Sequence, residues 1–296
     1  MKRIFYYTII CITIGTSCVS TTKREETSVQ EFHNISYGKK KGNVYDLFLP
    51  KLRDDKDTLA LILYIHGGSW LGGDKFEHHN DCRMLVNKGY VTATMNYSLL
   101  NEEGVSIFTM MDEIKSCIAH ITQFSKEKGV IINQMAIAGT SAGGHLAMMY
   151  SYSQHHSLPI KFEAIKVGPS DFRILFPNDE NSSDEDLQNF VFQCTGKRAK
   201  VKKISFNELD SIKLIASPIN YINDSTALPA IWAYGEKDDL VNPGHYKALK
   251  TCYDKLDKPY DLIVFPNSNH FLWDDRDCTE RYDSVLNEYC KIYFGY

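Results

Sequence analysis

The stretch MAIAGTSAGGHLAMM, residues 135–149, decides the fold. Residues 135–138 read as a short buried strand, and from Ala142 the apolar residues Leu146, Met149 and Tyr150 recur at helical spacing. Ser141 therefore sits on the turn between strand and helix. Gly139, Ser141 and Gly143 fit the G-x-S-x-G pattern, in which the serine takes a strained backbone conformation and lifts its hydroxyl clear of the sheet. Small neighbours are needed because strand and helix nearly touch there. The pattern alone also fits a glycine-rich turn with an idle serine, so the rest of the chain has to supply the partners.

Working outward, strands and helices alternate. After the turn-forming KKKGN, the alternation at Tyr45, Leu47 and Leu49 reads as an entry hairpin. Apolar strands follow at 59–65, 90–97, 162–167, 229–234 and 260–265, with helices near 105–128, 243–256 and 279–293. Such alternation predicts an α/β fold, a mostly parallel central sheet flanked by helices, in a single domain over residues 31–296. Residues 171–216 interrupt it with the acidic run NDENSSDEDLQNF, where ligands approach such sheets. Phe190, Phe192, Phe206 and Leu209 give this insertion enough apolar content to pack, which predicts a small lid.

A serine hydroxyl is a weak nucleophile at neutral pH, so a catalytic Ser141 needs a histidine base, an acid to orient it and donors for an oxyanion. In a fold of this kind the order along the chain is serine, acid, histidine. The strand in ALPAIWAYG runs out into EKDDLVNP, which places Asp238 and Asp239 just beyond its carboxyl end. One of the two is the expected acid. The next strand, YDLIVF, ends in PNSNHFLW, so His270 emerges beside them as the expected base. Neighbouring strands about 4.8 Å apart bring such side chains together. His145, four residues along the helix from Ser141, is tied to that helix and is assigned a structural role. The strand LALILYI delivers HGGSW at 66–70, so the backbone N–H groups of Gly67 and Gly68, with that of Ala142, are the candidate oxyanion donors.

Composition agrees with an enzyme of this size. The 296 residues, 43% hydrophobic, suffice for one large core. A net charge of −4 gives no electrostatic footprint for nucleic acid, and the basic patch KRAKVKK at 197–203 reads as solvated surface. Lys2 and Arg3 precede an apolar run over 4–14 and then GTSC, the pattern of a signal peptide over residues 1–17. Small residues before Cys18 resemble a bacterial lipobox, which predicts a lipidated Cys18, a tether over 18–30 and no other membrane contact. The eight cysteines lack C-x-x-C spacing, so no zinc site is expected, and an exported location permits disulfides without requiring them. Cys117 shares a helical face with Ile114, Ile118 and Ile121, which predicts a buried free thiol.

The segments HGGSWLGGDK, GTSAGGHLA, ASPINYI, YGEKDDLV and NHFLW resemble α/β-hydrolase esterases of the hormone-sensitive-lipase and bacterial feruloyl/acetyl esterase type. The likeness runs over roughly residues 31–296. It implies ester hydrolysis through an acyl-enzyme, without metal or cofactor, by Ser141, His270 and an acid three residues after Gly235, which is Asp238. It also implies that Gly67 and Gly68 form the oxyanion hole. The lipase branch often carries Tyr-Arg-Leu where this chain has NYSLL, with Ser98 in the arginine position, so the feruloyl/acetyl esterase type fits better. With an exported location, short-acyl or feruloyl esters of carbohydrates, small or polymeric, are the expected substrates. Three other readings stay open: an arylformamidase-like amidase, suggested by HGG-x-W; a prolyl-oligopeptidase-like peptidase; and a non-catalytic binding protein of the same fold.

Overall fold

The computed structural model describes residues 29–52, 57–153, 156–198 and 204–295. The expected signal peptide, the expected lipidation site Cys18 and the expected tether up to residue 28 lie outside them.

Eight strands form one sheet: β1 (Gln30–Ser36), β2 (Val44–Leu49), β3 (Asp57–Ile65), β4 (Val91–Met95), β5 (Val130–Thr140), β6 (Ile160–Lys166), β7 (Ala230–Gly235) and β8 (Tyr260–Phe265). The order across the sheet is β1-β2-β4-β3-β5-β6-β7-β8. β1 and β2 form the expected entry hairpin, β2 runs antiparallel to β4, and the remaining pairs are parallel. β1 starts at Gln30, inside the last residues of the expected tether.

The helices are α1 (His79–Val86), α2 (Ile107–Glu127), α3 (Ala142–Ser153), α4 (Phe172–Leu175), α5 (Asp184–Thr195), α6 (Phe206–Ile215), α7 (Gly244–Leu256) and α8 (Arg276–Phe294). Period-two alternation along the strands divides the core in two. Leu61, Leu63 and Ile65 of β3 and Trp232 and Tyr234 of β7 face the side covered by α2, α3 and α7. Ala60, Ile62 and Tyr64, with Ile231 and Ala233, face the side covered by α1 and α8. Central strands buried on both faces read as continuous apolar runs, which is why these were legible as strands. Cys117 is buried within α2, and all six described cysteines are free thiols.

The described part of the insertion is helical. It folds into three short helices, and α5 and α6 each open on a capping box, Ser183 with Asp186 and Ser205 with Glu208. α5 packs on α2 and α6, and α4 packs on α6. Its aromatic residues Phe172 and Phe176 gather around Trp70, with Phe190 behind them. None of its described residues lines the cleft over Ser141. Phe172, Phe176 and Phe190 of the insertion are used in this packing.

One buried acid sits in the core without a cationic partner. Glu163 of β6 accepts from the Tyr152 hydroxyl and from Trp232 Nε1 at 3.1 Å, while its other oxygen has no partner among the described residues. Burial pushes its pKa up to about 7, against the two hydrogen bonds that lower it. A carboxyl with a folded pKa above its unfolded value binds its proton more tightly in the native state. Stability therefore falls as pH rises from about 4.5 to about 7 and is level above that. Glu163→Gln keeps both accepted hydrogen bonds and removes the charge, so the variant should gain on wild type across this window, by roughly 3 kcal/mol at pH 8. Melts from pH 4.5 to 8.5 check this; parallel curves for the two proteins would refute it.

Candidate active site

Ser141 sits between β5 and α3 with φ +52°, a left-handed conformation that a serine adopts only under constraint. The constraint is hydrogen bonded at both ends: the Ser141 amide donates to Lys166 O at 2.9 Å, and His145 N donates to Ser141 O at 2.9 Å. Clearance comes from two glycines. A Cβ on Gly139 would stand 2.5 Å from Gly143 C, and one on Gly143 would stand 2.1 Å from Ile65 O.

The structure brings together the serine, the histidine and one of the two aspartates. His270 Nε2 lies 2.9 Å from Ser141 Oγ, and its Nδ1 lies 2.7 Å from Asp238 Oδ2. A carboxylate oxygen only accepts, so Nδ1 carries the proton and Nε2 is left to accept from the serine hydroxyl. Asp238 is buried, and its Oδ1 accepts from the amides of Leu240 and Val241 at 2.9 and 2.8 Å. Those two amides and the imidazole N–H satisfy a carboxylate withdrawn from water. Asp239 is exposed. Close approach of the two strand ends requires Gly235, where a Cβ would fall 2.4 Å from Asn269 O. The His270 loop is itself fastened by Asp275, which accepts from Asn267 N, Asn267 Nδ2 and Ser268 Oγ at 2.9, 2.9 and 2.7 Å.

The glycine turn after β3 runs through three left-handed residues, Gly68, Ser69 and Trp70, at φ +105°, +54° and +59°. Two side chains hold it. Trp70 Nε1 donates to His145 Nδ1 at 3.3 Å, while His145 Nε2 donates to Ala216 O at 2.7 Å. Burial lowers the His145 pKa to about 4, so the ring is neutral and serves as a fixed link between the turn, α3 and the end of the insertion. His145 thus has the structural place expected of it.

The second support was not foreseen. Gly67 N donates to Glu77 Oε2 at 3.0 Å, so this candidate oxyanion amide is already engaged by a carboxylate. Of the three expected donors, Gly68 and Ala142 remain. Glu77 belongs to a 3₁₀ turn, Lys75–His78, that the sequence reading passed over together with α1. The spacing of Cys82, Leu85 and Val86 is the helical signal that marks α1. Nothing local marks Glu77, which meets Gly67 only through the fold.

These groups line one cleft of about 640 Å³. Its lining includes Leu240, Phe271, Trp273, Glu77, Lys166 and Tyr282 together with Ser141 and His270. Elsewhere, among the described residues, His33, Asp46 and His79 bring ligand atoms within 4.8 Å of one another. There Asp46 Oδ2 already meets His79 Nε2 at 2.7 Å and the Lys75 ammonium at 3.0 Å. A cation on that oxygen is a poor start for a metal site, and the group reads as an anchor between β2 and the start of α1.

Known proteins place the chain. Kynurenine formamidase of Danio rerio is 30% identical over 131 residues, covering 44% of this chain and 42% of that protein. Esterase LipQ of Mycobacterium tuberculosis is 22% identical over 217 residues, covering 71% of this chain and 49% of its own. The chain thus spans less than half the length of these relatives. A truncated carbohydrate esterase from gut microbiota superposes with a TM-score of 0.67 at 18% identity, over 90% of this chain and 99% of the other. A thermophilic esterase of Thermogutta terrifontis gives 0.67 at 18% identity, over 89% and 92%. At such identities the superpositions speak to the fold, which is that of α/β-hydrolase esterases. The family model BD-FAE matches residues 45–253, well over half of the chain and inclusive of Ser141 and Asp238, and the chain belongs to that family.

Proposed function

We propose that the protein is a serine hydrolase of carboxylic esters, working through an acyl-enzyme. The observation that carries this is the single imidazole of His270 joined to both Ser141 Oγ and the buried Asp238. In the proposed reaction His270 Nε2 takes the serine proton as Oγ attacks the ester carbonyl. Asp238 holds the ring in the tautomer that leaves Nε2 free and stabilises the imidazolium that forms. With Gly67 N held by Glu77, the oxyanion is assigned to the amides of Gly68 and Ala142, and loss of one such donor costs on the order of 3 kcal/mol in the transition state. His270 then returns the proton to the leaving alcohol, and water repeats the sequence on the acyl-enzyme. Short-acyl and feruloyl esters are the substrate classes that the family membership favours.

A second reading, hydrolysis of aryl formamides, is favoured by the stretch shared with kynurenine formamidase. The same groups serve both reactions, and only the leaving group differs.

Ser141→Ala should fold normally, lose fluorophosphonate labelling and lose at least a thousandfold in ester turnover, on the order seen when such a nucleophile is removed. Asp238→Asn should be crippled while Asp239→Asn stays near wild type. Retained turnover in Ser141→Ala sinks the mechanism, and a reversed pair of aspartates sinks the assignment of the acid. Aryl esters and N-formyl aryl amines assayed side by side separate the two readings.

We further infer that the chain is exported as a lipoprotein acylated at Cys18, on the strength of the basic start, the short apolar run and GTSC. Among the described residues no helix is long and apolar enough to cross a membrane. The multiple acyl chains of a lipoprotein hold a domain far more firmly than one chain does. Wild type should therefore fractionate with membranes and Cys18→Ala should not; a wholly soluble wild type with unmodified Cys18 refutes the anchor and leaves the hydrolase untouched.

A further inference from the structure

We propose that Glu77 makes the cleft selective for esters that carry a cationic ammonium group close to the scissile carbonyl. This rests on the ester-hydrolase reading above and adds which charge the substrate bears.

The first observation is where the carboxylate stands. Glu77 lines the cleft with Ser141 and His270 and is exposed there. A Cβ built on Gly67 would stand 3.4 Å from Ser141 Cβ and 3.7 Å from Glu77 Oε2, so nucleophile and carboxylate border the same small volume. The second is what the carboxylate lacks. Oε2 accepts from Gly67 N at 3.0 Å, while Oε1 has no hydrogen-bond donor among the described residues. No lysine or arginine among them pairs with Glu77. Lys166 of the same lining lies 4.0 Å from Asp81 Oδ1 and 4.5 Å above the Tyr282 ring.

The group that faces Oε1 is itself an acceptor. His78 gives its Nδ1 proton to Asp81 Oδ2 at 2.9 Å, because a carboxylate oxygen only accepts, and the neutral ring is left with a lone pair on Nε2. That nitrogen is buried, has no hydrogen-bond partner among the described residues and lies 3.8 Å from Glu77 Oε1. Two acceptors with no donor between them give this part of the cleft a negative potential.

The reaction gives that charge a consequence. The oxyanion is assigned to the amides of Gly68 and Ala142, which follow Gly67 and Ser141 in the chain, so negative charge develops beside a carboxylate. Like charges in a partly enclosed cleft oppose each other, which slows a neutral ester. An ammonium carried by the substrate pairs with Oε1, leaves Oε2 on Gly67 N and removes the opposition.

The test follows two pairs of shape-matched esters by pH-stat. One is acetylcholine against its carbon isostere, tert-butyl in place of trimethylammonium, with the charge on the alcohol. The other is the ethyl ester of γ-butyrobetaine against the same kind of isostere, with the charge on the acyl group. The quaternary charge is permanent. In wild type the kcat/KM ratio of cationic to neutral ester should exceed one in at least one pair, and which pair tells the alcohol side from the acyl side. Glu77→Gln keeps an acceptor for Gly67 N and removes the charge, so that ratio should fall about fivefold, the size of one ion pair open to solvent. Added salt should lower the wild-type ratio in the same direction. Wild-type ratios at or below one in both pairs, or a ratio unchanged in Glu77→Gln, overturn the selection while the ester-hydrolase reading stands. Should Glu77→Gln fail to fold, a wild-type ratio unmoved by salt overturns it instead. A wild type inert on all four esters overturns both readings.

Discussion

The left-handed turn at Ser141 is the constraint on which the remaining geometry depends. It exists because α3 must start directly above the end of β5, so close to β3 that Gly143 leaves no space for a Cβ beside the carbonyls of Ile65 and His66. The same contact fixes the glycine turn, since Ile65 ends β3 and His66 begins that turn. Stacking of His66 on Tyr97 at 4.4 Å, with the Tyr97 hydroxyl donating to His66 O, secures it from the β4 side. The turn at Ser141 and the glycine turn are therefore one packed unit, and neither can shift without the other. This is how amides and a hydroxyl on separate loops come to be held in fixed positions beside one another.

Charge at the site is handled by a different device. Asp238 is withdrawn from water, and a lone buried carboxylate is expensive; two amides and one imidazole N–H meet that cost. Glu163, equally buried in the neighbouring strand, has only neutral donors and one orphan oxygen, and its carboxyl is shifted towards the protonated form. The two acids are alike in depth and differ in their partners.

Most of the fold was legible in the sequence because the parallel strands are buried on both faces and appear as unbroken apolar runs such as LALILYI. The elbow serine, the acid pair and the histidine were legible because each stands where a strand runs out, in an order that restricts the choice. Between Asp238 and Asp239 the residues themselves gave no preference. The decision belongs to the loop, which buries one and exposes the other. Glu77 at Gly67 was illegible because their contact arises from the way the 3₁₀ turn folds back under the β3 end. The packing of the insertion was illegible for a related reason: aromatic residues announce that a segment packs, but not on what, and Trp70 was the partner.

Backbone strain shows what that packing is for. Among the described residues, non-glycine positions with positive φ are Asn34, Ser69, Trp70, Ser141, Val167, Asp257 and Leu272. Ser69, Ser141, Val167 and Leu272 line the cleft at Ser141, and Trp70 adjoins it in the chain. Val167 is the most telling, because a β-branched residue resists φ +47° more than any other in the group. It is held by a hydrogen bond from its amide to Ala233 O at 2.8 Å, which ties the end of β6 to β7. Strain spread at random would mark loose turns; strain gathered beyond the carboxyl ends of β3, β5, β6 and β8 means the sheet is holding those ends in unfavourable conformations together. Stability for this comes from the two apolar faces below, and the result is a cleft whose dipoles and side chains are set before substrate binds.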